Sequence, residues 1–240
     1  MNLEHLRSFV RAPAPADVAA FPAELRLYSD PALDVFYVPV EHQNPTARLV
    51  LLGLTPGFHQ ARVAFDAFAT AIASGAPVHE ALASAKHSAA FAGSMRANLC
   101  MMLEAIGIPS RLGVADAAAL FVPPQRLVHL TSALRYPVFK AGRNYSGSPA
   151  PTTHPELRRM IEFLLAPELA GVPSALVIPL GKAAQAAADL LIHLNQLDPA
   201  RVLRGFPHPS GANGHRKQQF TSHLPAMRLQ VACWFPAAAV

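Results

Sequence analysis

Four short runs dominated by apolar residues constrain the fold of this chain more than any other feature: Arg48–Gly57, Arg126–Leu130, Ala175–Ile178 and Val202–Phe206. None shows a helical repeat, and such runs suit strands buried on both faces, as in a parallel sheet. Helix-forming segments lie between and beyond them. The Ala-rich stretch 59–90, with Phe58, Phe65 and Phe68 around and within it, reads as helical with breaks. Ser94–Ile106 reads as a helix stopped by Gly107 and Pro109. Thr153-His-Pro-Glu156 has the capping-box pattern and predicts a helix through Leu165. Gly181–Leu191 is a strong helix former, and Leu224–Trp234 predicts a closing helix.

Strands alternating with helices imply a parallel sheet covered on both faces, because crossovers between parallel strands are right-handed. The expectation is an α/β fold: a three-layer sandwich with a central four-stranded parallel sheet flanked by helices. One domain spanning residues 1–240 is expected, with the Pro- and Ala-rich residues 1–44 as a lead-in packed on it.

Composition narrows the function. Hydrophobic residues make up 52% of the 240 and charged residues 15%, enough apolar material for a sizeable core. The formal charge of +5 favours a polyanionic partner such as nucleic acid, although no polybasic block is present. Cys100 and Cys233 cannot supply a four-thiolate iron–sulfur cluster, and no C-x-x-C zinc spacing exists. Both cysteines are expected to be buried and reduced. The N-terminus lacks a charged stretch followed by an apolar one, and no apolar run reaches membrane-spanning length. A cytoplasmic protein is the expectation.

In open parallel sheets, ligands bind outside the carboxyl ends of the strands. Two chemically unusual loops fall at such ends, Gly53-Leu-Thr-Pro-Gly57 and His208-Pro-Ser-Gly-Ala-Asn-Gly-His-Arg216. In this order they resemble the two signature motifs of the uracil-DNA glycosylase superfamily. One is a Gly-x-(Asp/Asn/Ala)-Pro-(Tyr/Gly) loop after the first strand; the other is a His-Pro-Ser loop after the last. Leu130-Thr-Ser-Ala-Leu134 resembles the middle motif, where the family usually carries Asn.

The resemblance implies a glycosylase that flips uracil out of DNA and hydrolyses its N-glycosidic bond in base-excision repair, as a monomer without cofactor. His208 would donate a hydrogen bond to the departing uracil. Thr55 stands where the family carries Asp or Asn; its hydroxyl is no base near neutral pH but can hold a water. Gly53, Leu54 and Gly57 would line the uracil site, and Gly57 in place of a thymine-excluding Tyr implies a roomier pocket. Ser132 would read the uracil edge, or Thr131 if the register slips by one. The stacking ring would come from Phe58, Phe65 or Phe68, each of which could equally be ordinary core. Ser210, Gly211, Asn213, His215 and Arg216 would meet DNA. The polar loop Gly142-Arg-Asn-Tyr145 could reach base or backbone, or simply be surface. Two other readings stay open. One is a protein on the same fold that binds uracil-containing or damaged DNA with little or no turnover, as Thr55 and Ser132 suggest. The other is an unrelated α/β enzyme acting on nucleotides or another small ligand, which a G-x-G-x-x-G or G-x-x-x-x-G-K-[ST] loop would support; neither is present.

Overall fold

The computed structural model describes residue 15 and residues 17–91, 94–122, 126–211 and 213–236. They divide into two compact units. One contains residues 44–54, 91–133 and the chain from 149 onward; the other contains residues up to 43, 55–90 and 134–148.

The first unit is built on a parallel sheet. Strands β3 (Leu49–Gly53), β4 (Val128–Ser132) and β7 (Leu176–Pro179) lie in the order β4-β3-β7, with Leu49 opposite both Val128 and Leu176 and Gly53 opposite Ser132. Every residue of β3 and β7 is buried, which explains why these runs carry no alternation. The expected fourth strand is reduced to one parallel bridge, Val177 to Val202, with the Leu203 N–H donating to the Val177 carbonyl at 2.8 Å. A ladder cannot continue there. Gly205 turns the chain with φ of +82°, and Pro207 and Pro209 have no N–H to donate. The central sheet therefore has three strands and a one-bridge extension.

Helices α3 (Ser94–Ala105), α4 (Ile108–Leu112), α7 (Lys182–His193) and α8 (Arg216–Trp234) belong to the same unit. So does a longer helical stretch: α5 (Pro155–Met160), a π turn over Ile161–Leu165, and α6 (Ala166–Ala170). The capping box at Thr153 does not form. His154 is the N-cap, Thr153 donates to the Ala150 carbonyl at 3.2 Å, and Glu156 pairs with Arg159 at 2.7 Å. Pro155 explains the shift, since its fixed φ and missing N–H suit the first helical position. The closing helix starts at Arg216, well ahead of the expected Leu224, and runs through Pro225. Its buried residues Met227 and Val231 are four apart on one face. Cys100 is half-buried and Cys233 is exposed on α8, both free, so the expected pair of buried thiols is not formed.

Buried polar groups tie the sheet to its helices. His129 and Thr131 of β4 both reach Glu168 of α6, at 2.8 and 2.9 Å. Arg201 donates to the carbonyls of Leu169, Val172 and Ala175 at 2.6 to 3.3 Å, anchoring the chain just before Val202.

The second unit holds an antiparallel sheet of β1 (Arg26–Ser29), β2 (Asp34–Phe36), β5 (Val138–Lys140) and β6 (Arg143–Asn144), in the order β1-β2-β5-β6. The lead-in thus contributes two strands, too short to show a period. The β5–β6 turn places Ala141 and Gly142 at φ of +49° and +69°, the double positive-φ geometry of a type I′ hairpin. Helices α1 (Phe58–Ala73) and α2 (Val78–Ala89) approach closely through Ala61, Ala64, Ala81, Ala85 and Ala89, all buried. They join a core with Phe21, Phe36, Phe68 and Phe139. Among the described residues, no helix is long and apolar enough to cross a membrane.

Candidate active site

At the carboxyl edge of the parallel sheet, Gly53 and Ser132 are register partners. A Cβ on Gly53 would lie 3.3 Å from Phe91 Cε1 and 3.5 Å from Ser132 Oγ, so the missing side chain makes room for a ring and a hydroxyl. Leu54 follows, half-buried. Strand alternation sets Thr131 and Ser132 in different surroundings. Thr131 points into the interior and donates to Glu168, while Ser132 stands beside Gly53 at the strand end. Phe91 was not among the aromatic candidates. It is buried and holds a φ of +54°, rare for an aromatic residue, and nothing in the sequence signals that conformation.

The His208 loop crosses the same unit beside the end of β7. Gly181, N-cap of α7, has φ of +91°, and its N–H donates to the Phe206 carbonyl at 3.0 Å. A Cβ there would come within 2.8 Å of His208 Cβ and 3.2 Å of His208 N, so only glycine lets the loop seat. His208 is half-buried, and burial pushes its imidazole below the ordinary histidine range. The Ser210 N–H donates to His208 Nδ1 at 3.2 Å. A backbone N–H can only donate, so Nδ1 is the acceptor and a neutral ring carries its proton on Nε2. His208 is thereby a neutral Nε2–H donor.

The rest of the loop is braced from behind. Arg216 Nη1 donates to the carbonyls of Pro209 (3.1 Å) and Ser210 (2.7 Å), and its Nη2 donates to Asn98 Oδ1 (3.2 Å). Asn98 Nδ2 donates to the Pro209 carbonyl at 3.0 Å. Asn213 Nδ2 reaches the His208 carbonyl at 3.4 Å and Gln219 Oε1 at 3.1 Å. The guanidinium expected to meet DNA phosphate is therefore engaged with the loop itself. Gly211 and His215 are exposed, and Ser210 is half-buried. Asn98 escaped the sequence reading. Its one signal is an Asn inside a helix, where that residue is a poor helix former.

The remaining candidates belong to the antiparallel unit. The Thr55 hydroxyl donates to the Tyr136 carbonyl at 3.0 Å and accepts from the Val138 N–H at 3.2 Å, which leaves it one acceptor site. Tyr136 is itself held by Glu41, whose carboxylate accepts from Tyr136 at 2.7 Å and Tyr37 at 3.1 Å; burial and that carboxylate push both phenols up. Gly57 opens α1. The side-chain amide of Asn144 covers it, 3.3 Å from where a Cβ would sit, and Asn144 Oδ1 accepts from the Phe58 N–H at 2.8 Å. Space freed by the absence of a side chain at 57 is thus occupied by Asn144, a residue of the polar loop singled out in the sequence. Phe68 is buried in the core. Phe65 and Phe58 pack against it, their rings 6.2 and 6.0 Å from Phe21.

The chain matches the family model described as Uracil DNA glycosylase superfamily over residues 40–230. It is 39% identical over 209 residues to the "Uncharacterized protein YoxB" of Bacillus subtilis (strain 168), covering 86% of this chain and 82% of that protein. The matched region includes all three motif segments, and members of this superfamily are DNA glycosylases that act on DNA. The chain belongs to the uracil-DNA glycosylase superfamily.

Proposed function

We propose that this protein excises uracil from DNA as a monofunctional glycosylase of base-excision repair. The observation that carries this reading is the Ser210 N–H to His208 Nδ1 hydrogen bond, which makes Nδ1 the acceptor and puts the proton of the neutral ring on Nε2. Uracil flips out of the stack, and the C1′–N1 bond breaks with its electron pair leaving on the base. The Nε2–H donates to uracil O2 as charge accumulates there, which stabilises the transition state more than the ground state. Water adds to the oxocarbenium-like sugar and loses its proton to solvent. Ser132 offers one hydroxyl to the uracil edge, and Phe91, lying against Gly53, supplies the ring face for the base. Ser210, Gly211 and His215 meet the DNA backbone. The one acceptor left on Thr55 can orient water but cannot deprotonate it. The protein acts as an intracellular monomer, and the reaction needs no metal or cofactor.

A second reading is favoured by one observation: the Thr55 hydroxyl is committed to Tyr136 and Val138, so the first loop presents no base. On that reading the protein binds uracil-containing DNA without turnover. Incubation with a labelled uracil oligonucleotide followed by alkali separates the two. Strand cleavage supports the glycosylase, and retention without cleavage supports the binding protein.

A further inference from the structure

The Pro209 carbonyl and the Ser210 N–H are the two ends of one peptide unit. That unit is planar and trans, so its oxygen and its hydrogen point in opposite directions. Two side chains grip the oxygen end: Arg216 Nη1 at 3.1 Å and Asn98 Nδ2 at 3.0 Å. Arg216 and Asn98 also bond each other at 3.2 Å, and Arg216 takes the next carbonyl, that of Ser210, at 2.7 Å. The hydrogen end of the same peptide is what His208 Nδ1 accepts. Rotating this peptide would break the grip and withdraw the N–H from the ring together.

We propose that Arg216 and Asn98 are positioning residues that set the tautomer of His208 through the Pro209–Ser210 peptide, and that Arg216 is not a DNA phosphate contact. The proposal rests on His208 being the donor to uracil. The guanidinium makes three hydrogen bonds to fixed acceptors, a forked geometry that a lysine ammonium cannot reproduce. Without the clamp, the Pro209–Ser210 peptide is free to turn. Nδ1 can then carry the proton, and the donor is lost from Nε2. The effect passes through the ring's protonation pattern and not through a contact with DNA phosphate.

The test combines nitrogen-detected NMR of histidine-labelled protein with single-turnover excision of a uracil oligonucleotide across a salt series. The His208 resonance is assigned by its absence in His208→Gln. In the wild type, Nδ1 is expected unprotonated and Nε2 protonated. Asn98→Ala, Arg216→Met and Arg216→Lys are expected to mix or reverse the tautomers. Each should slow excision by about tenfold to a hundredfold, while DNA affinity at fixed salt changes little for Asn98→Ala. Replacing Arg216 by Met should leave the slope of log affinity against log salt unchanged. A fall of about one in that slope, or restoration of the rate by Lys, would make Arg216 a phosphate contact and overturn the proposal. An unchanged tautomer in Asn98→Ala and Arg216→Met overturns it as well. Should the wild type fail to cleave uracil DNA, the functional reading falls, while the tautomer spectra still decide whether the clamp exists.

Discussion

The Thr55 hydroxyl bridges two backbone groups, the Tyr136 carbonyl and the Val138 N–H. Thr55→Val keeps the shape and leaves both groups unpaired. It should lower stability by about 1 kcal/mol, the ordinary cost of such a loss in a half-buried place. Thr55→Asn can donate to Tyr136 and accept from Val138, so it should retain stability. Thr55→Asp accepts only, faces a carbonyl, and should resemble Thr55→Val. Thermal melting beside excision rates checks this; full stability with abolished excision in Thr55→Val would show that the hydroxyl acts on the reacting atoms instead. His208 makes a pH prediction. Its folded pKa lies below the ordinary 6.5, so the unfolded chain takes up this proton first as pH falls. Stability present above about 6.5 is then lost as pH drops through the folded value. An added proton on Nδ1 would also face the Ser210 N–H, so excision should decline along the same acid limb. Melting curves of wild type and His208→Gln against pH test the sign: the wild type should lose more stability on acidification, and equal losses would contradict it. Motif position is what singles out His208, Ser132 and Gly53 in the sequence, and it says nothing of what each touches. The contacts of Phe91, Asn98 and Arg216 were not legible, since positive φ and long-range hydrogen bonds leave no local pattern.

Elements read well where burial on both faces removes periodicity, as in β3, β4 and β7, and poorly where strands are short. The four residues of β1 are exposed or half-buried, Leu27 at 49%, and β2 is only three residues long. Val202–Phe206 has strand-like composition, but Gly205 and the flanking prolines convert it into the loop that carries His208. That loop depends on the junction between β7 and α7. An alanine at 181 would need a left-handed backbone, costing roughly 1 to 2 kcal/mol, and would also drive its Cβ into His208. Gly181→Ala should therefore reduce both melting temperature and excision, with the rate falling about a hundredfold as the loop is displaced. Measured kinetics showing a normal rate would mean that the loop tolerates displacement and that His208 is not held in place by Gly181.

For the whole molecule, the sequence made the alternating α/β character and the positive charge legible, but not the division into two compact units. Segments 44–54, 91–133 and 149 onward share one unit although they are far apart in the chain, and only long-range packing reveals that grouping. The formal charge of +5 predicts DNA binding that weakens with salt through counterion release. Binding of that kind survives loss of a single uncharged donor, so affinity and chemistry can be separated. The most direct measurement is therefore single-turnover release of uracil from a labelled oligonucleotide by wild type and His208→Ala, with DNA affinity measured in parallel. Uracil release by the wild type is expected, with a loss of about two to three orders of magnitude in the variant and nearly equal affinities. No release by the wild type, or an undiminished rate in His208→Ala, would contradict the proposed function.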